Sequence, residues 1–378
     1  MEVIFICGCL EPGKDGVGDY TRRLAGELTR QGVKTGIISF NDGFIEGEKE
    51  TEQNIDNINI RTLRISKKHK KTHKIKKAKK WIEKYNPSWV SLQLVPYSFQ
   101  DKGLPYGLHR TLNKIGNSRN WHIMVHELWI GKLENSKFKN NVYRFLQKRI
   151  ISKVLHFNKV KCIHTHLPSY KSSIEKVGVK VNPLALFSNI NFEKSNDQEL
   201  SKNIFTVAFF SQISNDKSIL NFIQSLTVKL KESNKLLLIK LVGGNEKKNI
   251  EFKNDLLNKY SIEGDVVLTG FLNSIELSKE LQNCDLGITP VPRHGLGKSG
   301  SVAAFISHKV PVVAPNILSG FNSSDIGFFD SKLAESIILT PNLKKLKQAK
   351  AILEEASIAI DLSEITKKFM LDLNLITI

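Results

Sequence analysis

The amino-acid sequence predicts an α/β protein of two domains, each built around a mainly parallel sheet. With 378 residues the chain is longer than one ordinary hydrophobic core supports. Apolar runs of strand length alternate with amphipathic segments of helix length, as parallel sheets with crossover helices require. The alternation restarts after a polar stretch at residues 192–203, so the chain divides into two halves of similar length.

These patterns set the expected domain boundaries. We expect a first Rossmann-like domain at residues 1–190, a linker at 191–203, a second Rossmann-like domain at 204–361 and a closing helical segment at 362–378. The composition, 40% apolar and 25% charged, is that of a globular chain.

The N-terminus and the cysteines both indicate a cytoplasmic protein. No apolar run approaches the length of a bilayer span, and the first apolar run follows acidic Glu2 without a basic region. The cysteines lie in or beside apolar runs and are not at zinc-ligand spacing, so we expect buried thiols in a reducing compartment. They are Cys7, Cys9, Cys162 and Cys284.

A strongly basic segment accounts for much of the net charge of +19. It begins at Lys67, ends at Lys80 and holds nine lysines and no acid. On a helix its apolar residues share one face and leave the other face cationic. That face is either solvated or directed at the anionic inner leaflet of the membrane, where each Lys contributes about 1 kcal/mol. Nucleic acid is not expected, because aromatic residues are not interleaved with the lysines.

The first half opens with a strand, a glycine-rich loop and a helix. Open parallel sheets bind ligands at the carboxyl ends of their strands, where this loop lies. After the second strand comes a polar stretch to which the sequence assigns no element. The predicted strands of this half are 2–9, 34–40, 58–65, 89–95, 122–125 and 160–164, and the first predicted helix is 19–30. Residues 181–187 close the half.

A histidine and a glutamate follow the fifth of these strands. His126 and Glu127 come directly after strand 122–125, at the sheet edge where catalytic groups are found. A hydrogen-bonded structural role is the alternative for His126.

Residues 285–314 carry the most informative pattern of the second half. Two predicted strands, 286–290 and 310–314, enclose a glycine-rich loop that opens into a short helix at Ser301. The loop at 293–300 carries Arg293, Lys298, Ser299 and glycines that include Gly297 and Gly300. Helix N-termini stabilise anions, so the pattern favours a diphosphate site, although a plain connector has similar features. The spacing fits neither the nucleoside-triphosphatase loop nor the dinucleotide motif.

The ordered set of loops resembles the retaining, nucleotide-sugar-dependent glycosyltransferases of family 4, which have the GT-B fold. Each motif is weak by itself, but together the motifs span most of the chain. They are Gly16-Val17-Gly18, His126-Glu127, residues 211–217 with Gln212 and Lys217, Gly243 with its neighbours, Thr269-Gly270-Phe271, and the two segments 284–290 and 308–313 that frame the loop with Arg293, Gly297, Lys298, Ser299, Gly300 and Ser301.

The resemblance implies two Rossmann-like domains that face each other across a cleft, with the C-terminal helix returning to the first domain. It implies that the loop residues bind a nucleoside-diphosphate sugar, with Lys217 on the diphosphate, and that His126 and Glu127 are catalytic. No cofactor and no metal are expected, since lysines and helix amides supply the positive potential. The acceptor is expected to be a glycan or lipid-linked molecule, in cell-surface polysaccharide synthesis on the inner face of the membrane.

The sequence departs from the family at three positions. The arginine that accompanies the diphosphate lysine is replaced by Gln212, and the two acids of the Glu-x7-Glu motif are replaced by Leu296 and Ala304. We expect Arg293, Lys298 and Ser299 to bind phosphate instead.

Two rival functions remain open at this stage. A sugar-nucleotide 2-epimerase has the same architecture and would use Glu127 for acid–base chemistry. A non-catalytic protein that binds nucleic acid or polyphosphate would explain the charge but not the motifs. The sugar, the nucleoside, the linkage and the oligomeric state are not specified.

Overall fold

A computed structural model shows two compact α/β units. It describes residues 1–116, 118–129, 138–194, 203–318 and 320–376. The first unit comprises Met1–Leu184 and Leu362–Ile378, and the second comprises Ala185–Asp361. Residues 195–202 of the expected linker lie outside the described residues.

The first unit contains an eight-stranded sheet in the order β3-β4-β2-β1-β5-β6-β7-β8. All neighbouring strands are parallel except β3 and β4, which are antiparallel. The strands are β1 (Val3–Cys7), β2 (Thr35–Asp42), β3 (Glu48–Ile55), β4 (Ile58–Ser66), β5 (Trp89–Leu94), β6 (Asn120–Val125), β7 (Val160–Thr165) and β8 (Asn182–Pro183).

The helices of this unit cover the sheet with their apolar sides. Burial of side chains such as Leu24 of α1 and Trp81 of α2 holds them there, and each fully buried side chain of this kind contributes about 1.5–3 kcal/mol. The helices are α1 (Gly16–Arg30), α2 (Lys71–Tyr85), α3 (Pro96–Phe99), α4 (Leu108–Gly116), α5 (Phe138–Leu155) and α6 (Pro168–Glu175).

The second unit contains a six-stranded parallel sheet in the order β11-β10-β9-β12-β13-β14. Its strands are β9 (Ile204–Phe210), β10 (Leu236–Val242), β11 (Asp265–Gly270), β12 (Leu286–Ile288), β13 (Val312–Val313) and β14 (Ile337–Ile338). Its α-helices are α7 (Lys217–Glu232), α8 (Glu246–Asn254), α9 (Ser274–Gln282), α10 (Gly300–Ser307), α11 (Ser331–Glu335) and α12 (Leu343–Ala356). A π-helical turn at Asp255–Lys259 and 3-10 helices at Arg293–Lys298 and Ser357–Ile360 complete the unit.

The final helix, α13 (Leu362–Asp372), belongs to the first unit. Its Phe369 is fully buried and stacks against Phe5 of β1, with ring centroids 6.0 Å apart. The side chain of Gln31, after α1, also donates to Ser363 Oγ at 3.1 Å. The expected return of the C-terminal helix to the first domain is confirmed.

Several local predictions were wrong. Strand β3 was missed because its burial pattern is mostly exposed, so it carries no apolar signal. The loop ending at Gly18 is shorter than predicted, because α1 begins at Gly16, where the Asp15 carboxylate caps the first turn. The closing stretch 181–187 contains only the two-residue strand β8, and β14 with α11 was not predicted.

Candidate functional site

The second sheet has a point where the direction of its crossovers reverses. From β9 the chain goes outward through β10 to β11, and it then returns to place β12 on the other side of β9. The loops after β9 and β12 therefore leave neighbouring strands at the same sheet edge. This is the position at which open α/β sheets bind ligands.

The loop after β9 presents two of the predicted donor-binding residues to solvent. Gln212 and Lys217 are both exposed. Lys217 is the first residue of α7, and Asp216 caps this helix by accepting the Ser218 N–H at 2.8 Å. Lys217 thus adds a cation to the positive end of a sixteen-residue helix.

The loops after β10 and β11 meet through a hydrogen bond. The Gly243 N–H donates to Thr269 Oγ1 at 3.3 Å, and Asn249 Nδ2 donates to the Gly243 carbonyl at 2.7 Å. Gly244 has a φ of 80°, and a Cβ there would lie 2.9 Å from the Ser211 carbonyl oxygen, so glycine permits this close approach. The structure therefore brings three of the predicted segments together at one edge.

Gly270 and Phe271, at the end of β11, lie at the surface of the second unit. Gly270 has a φ of 67° and ends β11. The ring of Phe271 is 94% exposed, which is unusual for so large an apolar side chain. An exposed ring at the ligand edge of the sheet can stack on a flat group such as a nucleobase.

The glycine-rich stretch after β12 is a 3-10 helix, Arg293–Lys298, and not an open loop. Arg293 is buried, and its guanidinium donates to the carbonyls of Ala314 at 2.8 Å and Ser323 at 3.0 Å. The Gly297 N–H also donates to the Gly327 carbonyl at 3.0 Å. The guanidinium thus fixes the segment in this conformation, while its predicted contact with phosphate stays a prediction.

Helix α10 begins immediately after this segment. Ser299 is its N-cap and accepts the Val302 N–H at 3.4 Å, while Gly300 and Ser301 form the first turn. Gly300 and Lys298 are exposed. This sheet edge therefore carries the positive end of α10 together with the hydroxyls of Ser299 and Ser301 and the ammonium of Lys298.

The positions where the family has two acids belong to the apolar core here. Leu296 is 1% exposed and Ala304 is 0% exposed. Both residues pack in one hydrophobic cluster with Val302 and Phe305. A carboxylate at either position would lose its hydration without gaining a partner, so the departure from the family is accommodated by packing.

The first unit has an equivalent reversal between β1 and β5. The loop after β1 is held against α1 by a close approach, because a Cβ on Gly18 would lie 2.4 Å from the Cys9 carbonyl oxygen. The Asp15 carboxylate accepts the N–H groups of Val17 and Gly18, each at 2.9 Å. Gly16 is exposed with open space beside it, so it is the residue of this motif best placed to approach a ligand.

A buried ion pair supports the same loop. Arg64 Nε donates to Asp42 at 2.8 Å, and its NH2 group donates to Glu11 at 2.8 Å. Asp42 also accepts the Leu10 N–H at 3.3 Å. Burial raises the pKa of Asp42, but the hydrogen bonds from Arg64, Phe44 and Ser39 outweigh it and hold the pKa below its usual value.

His126 lies at the end of β6, as predicted, and both of its ring nitrogens are hydrogen-bonded inside the unit. Nε2 is 2.9 Å from Gln93 Oε1, and Nδ1 is 3.2 Å from His166 Nε2. The ring of Tyr20 meets His126 edge-on, with centroids 4.9 Å apart. Burial, and then the proximity of His166, hold the pKa of His126 well below its usual value. Both effects favour the neutral imidazole.

The neighbours of His126 were missed from the sequence. Gln93 is the penultimate residue of β5, and His166 follows β7, so both reach His126 from adjacent strands. The signal was the repetition of polar residues at strand ends, which marks one sheet edge. Glu127 is half-buried, and its N–H donates to the Leu94 carbonyl at 3.2 Å.

The lysine-rich segment is helical only from Lys71 onward, in α2, and the predicted apolar face of that helix is largely buried. Acids in and before β3 partly neutralise the charge of the segment, because Glu46 pairs with Lys68 and Glu48 pairs with Lys77. Six further lysines are exposed, namely Lys67, Lys70, Lys71, Lys76, Lys79 and Lys80. No helix in the described part of the chain is long and apolar enough to cross a membrane.

A pocket of about 260 Å³ opens beside this helix, at the carboxyl end of β2. Its walls include Asn41, Lys71, Lys74 and Tyr106. Lys74 is buried, and its ammonium donates to Asn41 Oδ1 at 2.5 Å. The pocket combines apolar walls with cations, as sites for small polar molecules often do.

Comparisons with known proteins identify the fold. No family model and no curated protein matches the sequence. Among solved structures, a glycosyltransferase from Rickettsia africae matches with a TM-score of 0.58 and 16% identity, over 98% of this chain and 97% of that one. A UDP-forming α,α-trehalose-phosphate synthase from Burkholderia xenovorans, in complex with glucose-6-phosphate, matches with a TM-score of 0.57 and 8% identity, over 98% and 99%.

A third neighbour belongs to a different enzyme class. A putative UDP-N-acetylglucosamine 2-epimerase from Listeria monocytogenes matches with a TM-score of 0.54 and 9% identity, over 99% of this chain and 95% of that one. These identities show the fold alone. The chain has the GT-B fold, and glycosyltransferases predominate among its structural neighbours.

Proposed function

We propose that this protein is a glycosyltransferase that moves a sugar from a nucleoside-diphosphate sugar to a glycan or lipid-linked acceptor. The observation that carries the proposal is the edge of the second sheet. There, Lys217, Lys298 and the N-termini of α7 and α10 follow the two strands that flank the crossover reversal. Fixed positive potential at such a point stabilises the negative charge that builds on a departing diphosphate.

We propose further that transfer needs no metal and retains the configuration of the sugar. Lys217, Lys298 and the amides of Gly300 and Ser301 supply the charge stabilisation that a cation supplies in other transferases. Retention follows from the resemblance to family 4. The GT-B neighbours of this chain support glycosyl transfer in general.

The nucleoside is proposed to lie at the loops after β10 and β11. Gly243 and Gly270 have positive φ angles of 63° and 67°, so the backbone there leaves room for a ligand. The exposed Phe271 ring offers a stacking surface for the base. Thr269 is engaged with Gly243 and fixes the separation of the two loops.

The pocket beside β2 is proposed as an acceptor position in the first unit. Its Lys71 and Lys74 fit an acceptor that carries a phosphate or carboxylate. The exposed lysines of α2 would then bring the protein to an anionic lipid surface in a cytoplasmic, peripheral location.

One experiment tests the enzymatic proposal directly. The protein is incubated with a panel of nucleoside-diphosphate sugars in the presence of a chelator, and the release of nucleoside diphosphate is measured with and without acceptor glycans. Acceptor-dependent release with a retained anomeric configuration is expected for at least one donor. If no donor is turned over and no nucleoside diphosphate binds, the proposal is wrong.

The alternative function is that of a sugar-nucleotide 2-epimerase, which is favoured by the Listeria neighbour and by Glu127 beside His126. The same assay distinguishes this epimerase from a glycosyltransferase. An epimerase would invert carbon 2 of the sugar without any acceptor, and proton NMR of the products would show this. A polyphosphate-binding protein would bind the diphosphate and leave every sugar unchanged.

Membrane association is tested with vesicles. The triple variant Lys70→Glu, Lys76→Glu, Lys80→Glu should lose flotation with anionic vesicles, and wild-type flotation should fall as salt rises. The matched control, Lys344→Glu, Lys347→Glu, Lys350→Glu on α12, changes the net charge equally and should float as the wild type does. Equal behaviour of the two variants would contradict the proposed role of α2.

A further inference from the structure

A continuous row of buried polar side chains crosses the first sheet, and we call it the histidine row. It runs from the Leu184 carbonyl to the Asp372 carboxylate of α13. Its members, in spatial order, are His166, His126, Gln93, Ser91, His122 and His164. The final three links are short: Ser91 Oγ to His122 Nδ1 at 2.7 Å, His122 Nε2 to His164 Nδ1 at 3.0 Å, and His164 Nε2 to Asp372 Oδ2 at 2.8 Å.

The row has one hydrogen too few when every histidine is neutral. It has seven links and ends on an acceptor at each side, a carbonyl and a carboxylate. Its six side chains contribute one hydrogen each along the row, because a neutral imidazole has one N–H and the amide and hydroxyl each direct one hydrogen along the row. One link therefore lacks a hydrogen, or the row holds an additional cation.

The position of the missing hydrogen depends on the orientation of the Gln93 amide. With Oε1 facing His126 and the amide nitrogen donating to Ser91 Oγ at 2.8 Å, every link from His126 to Asp372 can hold a hydrogen, and the missing one falls at His166. With the amide turned by 180°, its nitrogen donates to His126 Nε2, Ser91 donates to its oxygen and His122 donates to Ser91. The missing hydrogen then falls among His122, His164 and Asp372.

A third ligand-type side chain lies beside His122 and His164. Cys162 and His164 are two residues apart on β7, so they point to the same face, and Cys162 pairs in register with His122 of β6. The ligand atoms of His122, Cys162 and His164 all lie within 4.8 Å of one another. We propose that these three side chains form a binding site for a divalent metal ion of the zinc type.

With the Gln93 amide turned, an ion between the two imidazoles completes the whole row. With the ion on His122 Nε2 and His164 Nδ1, His164 donates Nε2–H to Asp372 and His122 donates Nδ1–H to Ser91. Every other link then has its hydrogen, and every histidine is neutral, which is the form that binds metal.

The distances require a small adjustment of the rings and a rotation of Cys162. Zinc bonds of about 2.0–2.1 Å to nitrogen and 2.3 Å to sulfur, at tetrahedral angles, set the nitrogens about 3.3 Å apart and sulfur about 3.6 Å from each nitrogen. The observed separation of the nitrogens is 3.0 Å. Cys162 Sγ lies 3.9 Å from His164 Nδ1 and 3.8 Å from His164 Nε2, so its side chain must turn toward Nδ1 to share an ion. No fourth His, Cys, Asp or Glu from the described residues joins this group, so the protein supplies three ligands.

The surroundings are those of a metal site. Metal-binding histidines usually donate their second N–H to a carboxylate or another oxygen, which fixes the ring orientation. Asp372 serves His164 in this way, and Ser91 serves His122. The charges also balance, since a 2+ ion meets one thiolate and one carboxylate, and the displaced thiol proton leaves to solvent.

The ion would attach the C-terminal helix to the sheet. Asp372 lies at the end of α13, and the ring of Phe369 on the same helix contacts His122 edge-on, with centroids 5.0 Å apart. Binding free energy of a structural metal is folding free energy, so occupancy should raise the stability of the first unit.

Cobalt(II) titration of chelator-treated, full-length protein tests the site. We expect one ion per chain with the visible absorption of a tetrahedral site and a thiolate charge-transfer band in the near ultraviolet, both displaced by Zn²⁺. Zinc should also raise the melting temperature. Absence of tight binding, or binding without the thiolate band, would overturn the proposal, and the row would then hold a proton as an imidazolium.

Matched variants assign the ligands. Cys162→Ser should remove the thiolate band, whereas Cys284→Ser, at an equally buried thiol of the second unit, should leave it unchanged. Asp372→Ala keeps all three ligands and should weaken zinc binding 10–100-fold. Should Cys162→Ser fail to fold, X-ray absorption of the zinc-loaded wild type still decides: one sulfur and two imidazoles support the site, and a shell of oxygen alone overturns it.

Discussion

The polar side chains at the carboxyl ends of the central strands are buried in the first unit and exposed in the second. In the first unit the polar side chains at the strand ends are buried and bonded to one another, as His126 is to Gln93 and His166. In the second unit Lys217 and Lys298 are exposed at the corresponding edge. Buried polar groups stabilise the fold by completing a network, whereas exposed cations contribute little to stability.

This difference predicts two kinds of effect from substitutions. Substitutions in the buried network should act first on the free energy of unfolding, and substitutions at the exposed edge should act on nucleotide binding and turnover. The four variants below, from the largest expected effect to the smallest, either sharpen this contrast or break it.

Asp42→Ala should lower the free energy of unfolding by about 3–5 kcal/mol, because it leaves the nearly buried Arg64 without its main partner. Urea unfolding measures the change. The control Asp101→Ala removes an exposed carboxylate of the same unit and should change stability by about 0.5 kcal/mol or less.

The same ion pair predicts a pH dependence. The pKa of Asp42 is lower in the folded state than in the unfolded state, where it is about 4. The ionised Asp42 therefore contributes fully to the free energy of unfolding above the unfolded pKa, and this contribution is lost as the pH falls through the folded pKa. The wild type should therefore lose more stability than Asp42→Ala on acidification below about pH 4. Parallel curves for the two proteins would contradict the assignment.

Lys217→Ala should lower turnover of the donor by about 10²–10³-fold, or about 2.7–4 kcal/mol of transition-state stabilisation. Its free energy of unfolding should stay unchanged, because the side chain is exposed. Lys229→Ala, at an exposed position near the other end of α7, is the matched control and should retain full turnover. Equal turnover in both variants would show that the diphosphate does not contact Lys217.

His126→Ala should destabilise the fold by about 1–3 kcal/mol, because Gln93 and His166 lose their partner. His166→Ala removes one of the same hydrogen bonds but keeps the His126 ring. If His126 contacts substrate, its variant should lose at least about tenfold more kcat than the His166 variant, in line with acid–base contributions of 10²–10⁴. Equal kcat values would assign His126 a structural role.

Ser299→Ala should cost about 1 kcal/mol of stability through loss of the N-cap of α10. Ser299→Asp restores a capping side chain, so its stability should return, but its negative charge should weaken nucleoside diphosphate binding below that of the alanine variant. Tighter binding by the aspartate variant would place the diphosphate away from α10.

The fold was predictable from the sequence where burial makes it periodic. Fully buried strands such as β1 and β5 appear as apolar runs, and amphipathic helices such as α1 show one apolar stripe. Strand β3 was not predictable, because its pairing with β4 depends on backbone hydrogen bonds and on polar cross-strand neighbours. Its glutamates also moderate the charge of α2, which composition alone did not show.

The candidate site was predictable in part for a related reason. Loops such as 293–300 are visible because glycines, cations and a cap are adjacent in the chain. The histidine row was not visible, because strand register brings His122 and His164 together across 42 positions of sequence. The hydrogen bonds of the Arg293 guanidinium with distant carbonyls were hidden for the same reason.

A crystal structure with a bound nucleoside-diphosphate sugar tests the central claim most directly. We predict that the diphosphate lies within hydrogen-bond distance of Lys217 and Lys298 and of the first amides of α10, without a metal between phosphate and protein. A diphosphate bound away from that edge, for example on the lysines of α2, would contradict the account.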